Sequence, residues 1–129
     1  MDTIGNFCTC IRNAILAGKE KVDVPSSNMR KNIAGKLEQY GYIRGYRVVE
    51  DGKQGVMRIY LKYDERQNSA IQSIQRVSRP SCRRYIKSDQ IQDVRSGYGL
   101  TIISTNQGVL SGREARKKKV GGELLCEIW

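Results

Sequence analysis

The apolar residues of this chain change period near residue 42, and that change limits the fold more than any other feature of the sequence. Before it, the spacing is helical. In DTIGNFCTCIRNAILAGK, Ile4, Phe7, Cys8, Ile11, Ile15 and Leu16 fall on one stripe of a helix, with Asp2 or Thr3 to cap it and Gly18 to close it. KVDVP follows as a short strand that Pro25 ends. Ser26 or Ser27 can then cap a second helix, which carries Met29, Ile33 and Leu37 and stops at Gly41. Beyond it the period falls to two. Met57, Ile59, Leu61 and Tyr63 alternate with Arg58, Tyr60 and Lys62, so YIRGYRVVE and VMRIYLKY are predicted to pair as a half-buried hairpin across the turn-rich DGKQG.

The polar DERQNS reads as a boundary. Past it, AIQSIQRVS is predicted to be a strand, and Pro80 turns RPSCRRYIK into a second, shorter one. SDQIQDVRSG suits a short capped helix, YGLTIIST a strand, GVL its return and SGREARKKK a helix. Ser111 and Glu114 have the S-x-x-E spacing of a capping box for that last helix. GELLCEIW closes the chain as a strand with Leu124, Cys126 and Ile128 set against Leu125, Glu127 and Trp129. The expected fold is α+β, in two small lobes. An α-β-α-β-β lobe spans residues 1–66, and a mostly β lobe with short helices spans 67–129.

Charge narrows the partners. Lys and Arg number 23 against 13 Asp and Glu, a net charge of +10 with a pI near 9.7. Such an excess repels itself in a compact state and is best explained by a polyanion that neutralises it; nucleic acid comes first and an anionic membrane surface second. Residues 1–66 hold 12 basic and 8 acidic groups, whereas 67–129 hold 11 and 5, so the second lobe is the better binding surface. The cysteines, at 8, 10, 82 and 126, lack zinc-type spacing and the chain has no histidine, so no metal or other cofactor is expected. With no signal peptide or membrane-length apolar run in view, reduced thiols in a cytosol-like compartment are the simplest reading. Cys8 lies on the helical stripe and should pack.

Catalytic signatures are missing. Without histidine, the commonest side-chain base is lost. Each of the Gly-Lys pairs at 18, 35 and 52 lacks the Ser or Thr of a phosphate loop, and Gly97-Tyr98-Gly99 fails as a dinucleotide fingerprint at Ile102. Ser104 lacks the glycine two residues before it that a nucleophile elbow needs. The chain does not read as an enzyme, and no small-molecule substrate is expected.

IISTNQGVLSGREAR points to a different chemistry. Ser104, Thr105, Asn106 and Gln107 offer hydroxyls and amides of both polarities, and Gly108 lets a ligand approach the main chain. Such groups discriminate among base edges, 2′-hydroxyls and phosphates. Attraction comes from Arg113, Arg116, Lys117, Lys118 and Lys119 on one side and Arg79, Arg83, Arg84 and Lys87 on the other, with Tyr85 among them as a stacking face. The alternatives are ordinary: a hairpin turn, a cationic run that complements a helix dipole, and a tyrosine that packs inside.

IQRVSRP, STNQGVL, REAR and VGGELLCEIW, in this order, together with IRNA and VPSSNMRKNIAGKLEQYGYI, resemble the bacterial-type small-subunit ribosomal protein eight family over essentially the whole chain. The resemblance implies a protein of the small ribosomal subunit, bacterial or organellar. It would grip an irregular stem in the central domain of small-subunit ribosomal RNA, support platform assembly, and touch neighbouring ribosomal proteins. In some bacteria it implies repression of the protein's own operon through a mimic stem in the messenger. Carried across, the family's Ser-Thr-Ser loop falls on Ser104, Thr105 and Asn106, its Gly-Gly-Glu on Gly121, Gly122 and Glu123, and its aromatic on Tyr85. Thr3, Arg12, Asn13, Ser27 and Lys31 resemble its secondary RNA contacts. Glu123 would accept from base amino groups, orient an arginine or order the Gly-Gly turn. Asn106 stands in place of a serine, Gln107 of a cation, Ser81 of a glycine, Cys8 of a leucine, Cys10 of an arginine and Glu127 of a tyrosine.

Overall fold

Helix α1 (Thr3–Leu16) forms where the apolar stripe runs, and it buries Ile4, Phe7, Cys8, Ile11 and Ala14. The computed structural model describes residues 3–50, 52–53, 55–91 and 99–129, so Asp2 as a cap and parts of the predicted 51–55 turn and 88–97 helix lie outside the described residues. Gly18 closes α1 at φ +68, where its N–H and that of Lys19 reach back to the carbonyls of Ile15 and Ala14. Leu16 belongs to the stripe in sequence but is 81% exposed, because the helix ends there and its last turn overhangs the core.

Strand β1 (Lys21–Pro25) leads to α2 (Asn28–Gln39). Of the two candidate serines Ser27 is the cap: its Oγ accepts from the Arg30 N–H at 3.1 Å. Ser26 is buried, and its main-chain N–H bonds to the Gly55 carbonyl. Strands β2 (Ile43–Val49) and β3 (Val56–Leu61) form the expected antiparallel hairpin, and β1 adds to β3 to give the order β1-β3-β2. Met57, Ile59 and Leu61 point into the core, as their alternation requires. Tyr63 lies past the strand end, in an isolated bridge to Ser69.

The second sheet holds β4 (Ile74–Arg76), β5 (Tyr85–Ile86), β6 (Leu100–Thr105), β7 (Gly108–Ser111) and β8 (Gly122–Ile128), in the order β4-β8-β6-β7 with β5 also on β8. The C-terminal strand is therefore central. Helix α3 (Gly112–Lys118) follows β7. The class is α+β, as expected. One local reading is corrected. AIQSIQRVS forms strand only over Ile74–Arg76, because the N–H groups of both Gln72 and Ser73 converge on the Trp129 carbonyl and break the ladder before β4 begins. Among its described residues, SDQIQDVRSG opens with a single 3-10 turn at Ser88–Gln90.

The alternation of GELLCEIW is also broken. Ile102 pairs with Cys126 but Ile103 pairs with Leu124, so Leu125 is the extra residue of a bulge. Consecutive residues Leu125 and Cys126 consequently both join the main core, while Leu124 faces the other side with Ile103, Leu110 and Ala115 under α3. The second sheet is thus apolar on both faces. Ile74, Ile102, Leu125 and Ile128 on its main-core face join the buried residues of α1 and of the first sheet in one cluster. Lys36 Nζ bonds Glu114 Oε1 at 2.7 Å and the Tyr40 hydroxyl meets Ser111 Oγ at 2.7 Å, which pins α2 to the cap of α3.

Candidate nucleic-acid interface

Two strand pairings assemble the polar end of the second sheet. Tyr85 and Ser104 both pair with Glu123, from opposite sides of β8, and Thr105 and Ile86 likewise both pair with Gly122. Residues far apart in sequence thus form two adjacent rows, Tyr85–Glu123–Ser104 and Ile86–Gly122–Thr105. Directly opposed residues project to one face of a sheet, so Tyr85, Glu123 and Ser104 share a face. Tyr85 is 72% exposed, which overturns its reading as a packed core tyrosine.

The hairpin between β6 and β7 is built by Thr105. Its Oγ1 donates to the Gly108 carbonyl at 2.8 Å and accepts from the Gln107 N–H at 3.1 Å. The hydroxyl's proton is therefore committed, and only an acceptor lone pair remains for a ligand. Gly108 takes φ +106, a conformation that a side chain would strain, while nothing lies within 4 Å of its missing Cβ. Asn106, Gln107 and Gly108 are exposed at the tip, and Ser104 is half-buried behind them.

Gly121 and Gly122 answer to sterics rather than to dihedral freedom. A Cβ at Gly122 would lie 2.0 Å from the Ser104 carbonyl oxygen, and one at Gly121 would lie 2.4 Å from that of Ile86. Close approach of β6 and β5 to β8 is what demands the pair, so both glycines shape the surface before they can touch anything on it.

Glu123 orients an arginine. Its Oε2 accepts from the Ser78 hydroxyl at 2.5 Å and from Arg83 Nη1 at 2.9 Å. Partial burial pushes this carboxyl up, but the Ser78 and Arg83 hydrogen bonds and the charges of Arg83 and Arg76 outweigh it, leaving it below the usual range. Ser78, fully buried, also accepts the Arg84 N–H at 3.0 Å and so ties the Arg-Pro turn to β8. Ser78 lies within IQRVSRP without a role legible in the sequence, because nothing local distinguishes a buried serine from a turn serine.

Helix α3 brings the cations. The capping box is present: Ser111 Oγ accepts the Glu114 N–H, and Glu114 Oε1 accepts the Ser111 N–H, both at 3.2 Å. Burial raises the Glu114 carboxyl, while Lys36 and the Ser111 N–H lower it further, for a net downward shift. Beyond α3, Gly122 returns to pair with Thr105, so the helix runs back along the hairpin and its cationic end points towards the loop. Arg116, Lys117 and Lys118 occupy its last turn, and all three are exposed. Arg113, also exposed, lies near enough to Tyr42 to bear on its hydroxyl. Arg84 is exposed beside Tyr85.

The residues named as secondary contacts are not gathered here. Ser27 caps α2, half-buried Lys31 lies in its first turn, and Arg12 and Asn13 are exposed on α1; the Thr3 side chain lies outside the described residues. Arg12 donates Nη2 to the Ile74 carbonyl, which clamps α1 to β4.

With this geometry in view, the family model for ribosomal protein S8 matches residues 2–129. The chain belongs to the ribosomal protein S8 family. It is 55% identical over 129 residues to small ribosomal subunit protein uS8 of Bdellovibrio bacteriovorus, covering 100% of both chains. It is 47% identical to the uS8 protein of Kosmotoga olearia (99% of this chain, 98% of that one) and 46% identical to that of Acidobacterium capsulatum (99% and 97%). Membership makes it a structural rather than an enzymatic protein, in keeping with the missing catalytic signatures.

Proposed function

We propose that the protein is a structural constituent of the small ribosomal subunit that grips an irregular stem in the central domain of small-subunit ribosomal RNA, chiefly through residues 67–129, and supports assembly around it. The observation that carries this reading is exposed Tyr85 in one row with Glu123 and Ser104, beside Arg84. An aromatic face left in water within a basic surface suits an unpaired base, which an irregular stem offers and a regular duplex does not. The hairpin tip supplies discrimination through Ser104, the free lone pair of Thr105, Asn106 and Gln107. Arg113, Arg116 and Lys118 supply attraction to phosphate. Glu123 acts by holding Arg83. Gly121 and Gly122 act by letting three strands close up. Filter binding of the central-domain stem against a regular duplex of equal length tests the reading. Clear preference for the stem is expected, with Tyr85→Ala costing about 1–3 kcal/mol of it. Equal affinity for both RNAs would overturn it.

A further inference from the structure

Two of the four cysteines, near opposite ends of the chain, meet in the core. Cys8 of α1 is 1% exposed and Cys126 of β8 is fully buried; both belong to the main cluster, and their thiols are hydrogen-bonded to each other. The contact is held from both sides. One turn past Cys8, on the same face of α1, Arg12 donates to the Ile74 carbonyl of β4. On the sheet, Cys126 stands in register between Arg76 of β4 and Ile102 of β6. Cys8 also reaches the floor of a groove of about 850 Å³ between α1 and the β4 edge, with Thr9, Arg12, Gln75 and Arg76 on its walls. A small solute in the groove therefore meets Cys8 first, with Cys126 behind it.

We propose that Cys8 and Cys126 form a peroxide-oxidisable dithiol, whose product is a reversible disulfide that staples α1 to the central strand of the second sheet. The Cys8 thiolate attacks one oxygen of hydrogen peroxide. An S–O bond forms, the O–O bond breaks, and the displaced hydroxide leaves as water with the proton that Cys8 gave up. The Cys126 sulfur then attacks the Cys8 sulfenic acid; an S–S bond forms, the S–O bond breaks, and the Cys126 proton leaves with that oxygen as a second water. Two thiols have lost two electrons and two protons, and one peroxide has become two waters. Position and burial set the roles. The hydrogen bond with Cys8 and burial push the Cys126 thiol well above its ordinary range, which the nearby Arg76 charge only partly offsets. Cys126 keeps its proton and resolves, and Cys8, at the groove, attacks. Thiols already in hydrogen-bond contact need only a short approach to the bond length of about 2 Å, so helix and strand stay packed as it closes. The other cysteines do not compete: Cys10, two residues on, faces away from Cys8 around the helix, and Cys82 is exposed in the Arg-Pro turn.

Neither step calls on RNA. The folded full-length protein is treated with hydrogen peroxide, blocked with N-ethylmaleimide in denaturant and digested for mass spectrometry. A Cys8–Cys126 cross-linked peptide is expected, lighter by about 2 Da than the sum of its halves and lost on adding dithiothreitol. The oxidised protein should melt about 10 °C above the reduced one, since the bond closes nearly the entire chain into one loop. Cys8→Leu should abolish the cross-link and the shift, whereas Cys126→Ala should stop the reaction at a Cys8 sulfenic acid that dimedone captures. The peptide map of the unaltered protein decides the matter even where a variant fails to fold. Cys8 and Cys126 still free for maleimide after Cys82 has been oxidised would overturn the proposal, as would a Cys8–Cys126 link that forms only in denaturant. A link that leaves the melting point unchanged would overturn the staple.

Discussion

Thr105 shows how one hydroxyl divides between fold and function. As a sequence feature it was a ligand contact; in the structure its proton and one lone pair close the hairpin on Gly108 and Gln107. Thr105→Val should therefore lower stability by about 1 kcal/mol, the net worth of a typical hydrogen bond, as well as weaken RNA binding. Thr105→Ser should restore both in denaturant melts and binding titrations. Recovery of stability without affinity would assign the methyl group, not the hydroxyl, to the RNA. Gly122 is stricter. Its Cβ would meet the main chain of β6 rather than a movable side chain, so Gly122→Ala should cost about 1–3 kcal/mol or more by chemical denaturation. Gly108→Ala, with open space around it, meets only the strain of its positive φ and should cost less.

At the scale of elements, α3 depends on a cap that its own sequence specifies and on a clamp that it does not. Ser111 and Glu114 form the box; Lys36 of α2 and Tyr40, which caps that helix, then bind both members of it. Ser111→Ala should destabilise by about 1–2 kcal/mol in thermal melts, the cap and the Tyr40 bond lost together. The carboxyls of Glu114 and Glu123 are both held below the ordinary value of 4.5. A depressed folded value means that the unfolded chain takes up protons first, so the stability these groups contribute is complete above 4.5 and disappears as pH falls through their folded values. Melting temperature should accordingly drop on acidification below that point. Glu114→Gln should shrink the drop; an unchanged acid limb would show that the Lys36–Glu114 pair contributes nothing to it.

At the scale of the whole molecule, a net charge of +10 is spread over more than one face. Lys118, exposed at the end of α3, is expected to act as a phosphate contact. Lys118→Ala should weaken all RNAs nearly equally and lower the salt slope by about one, measured on the stem and on generic duplex. A change confined to the stem would instead make Lys118 a specificity contact. Tyr85→Ala should behave in the opposite way, since stacking is largely independent of salt.

Helical stripes, the β2–β3 alternation, the α3 capping box and the basic balance were all legible in the sequence, because each depends on residues within a few positions of one another or on simple counting. The STNQG loop could be picked out as chemistry in the same way, whereas only the family resemblance marked the Gly-Gly-Glu run. Their meeting could not. Tyr85, Ser104 and Glu123 become neighbours only because β8 inserts between β5 and β6, and no local pattern specifies which strands pair across tens of residues. The Leu125 bulge, the Ser78–Glu123–Arg83 network and the Arg12–Ile74 clamp belong to the same class. Periodicity reports which way a side chain faces relative to its own backbone; what it faces is decided by packing.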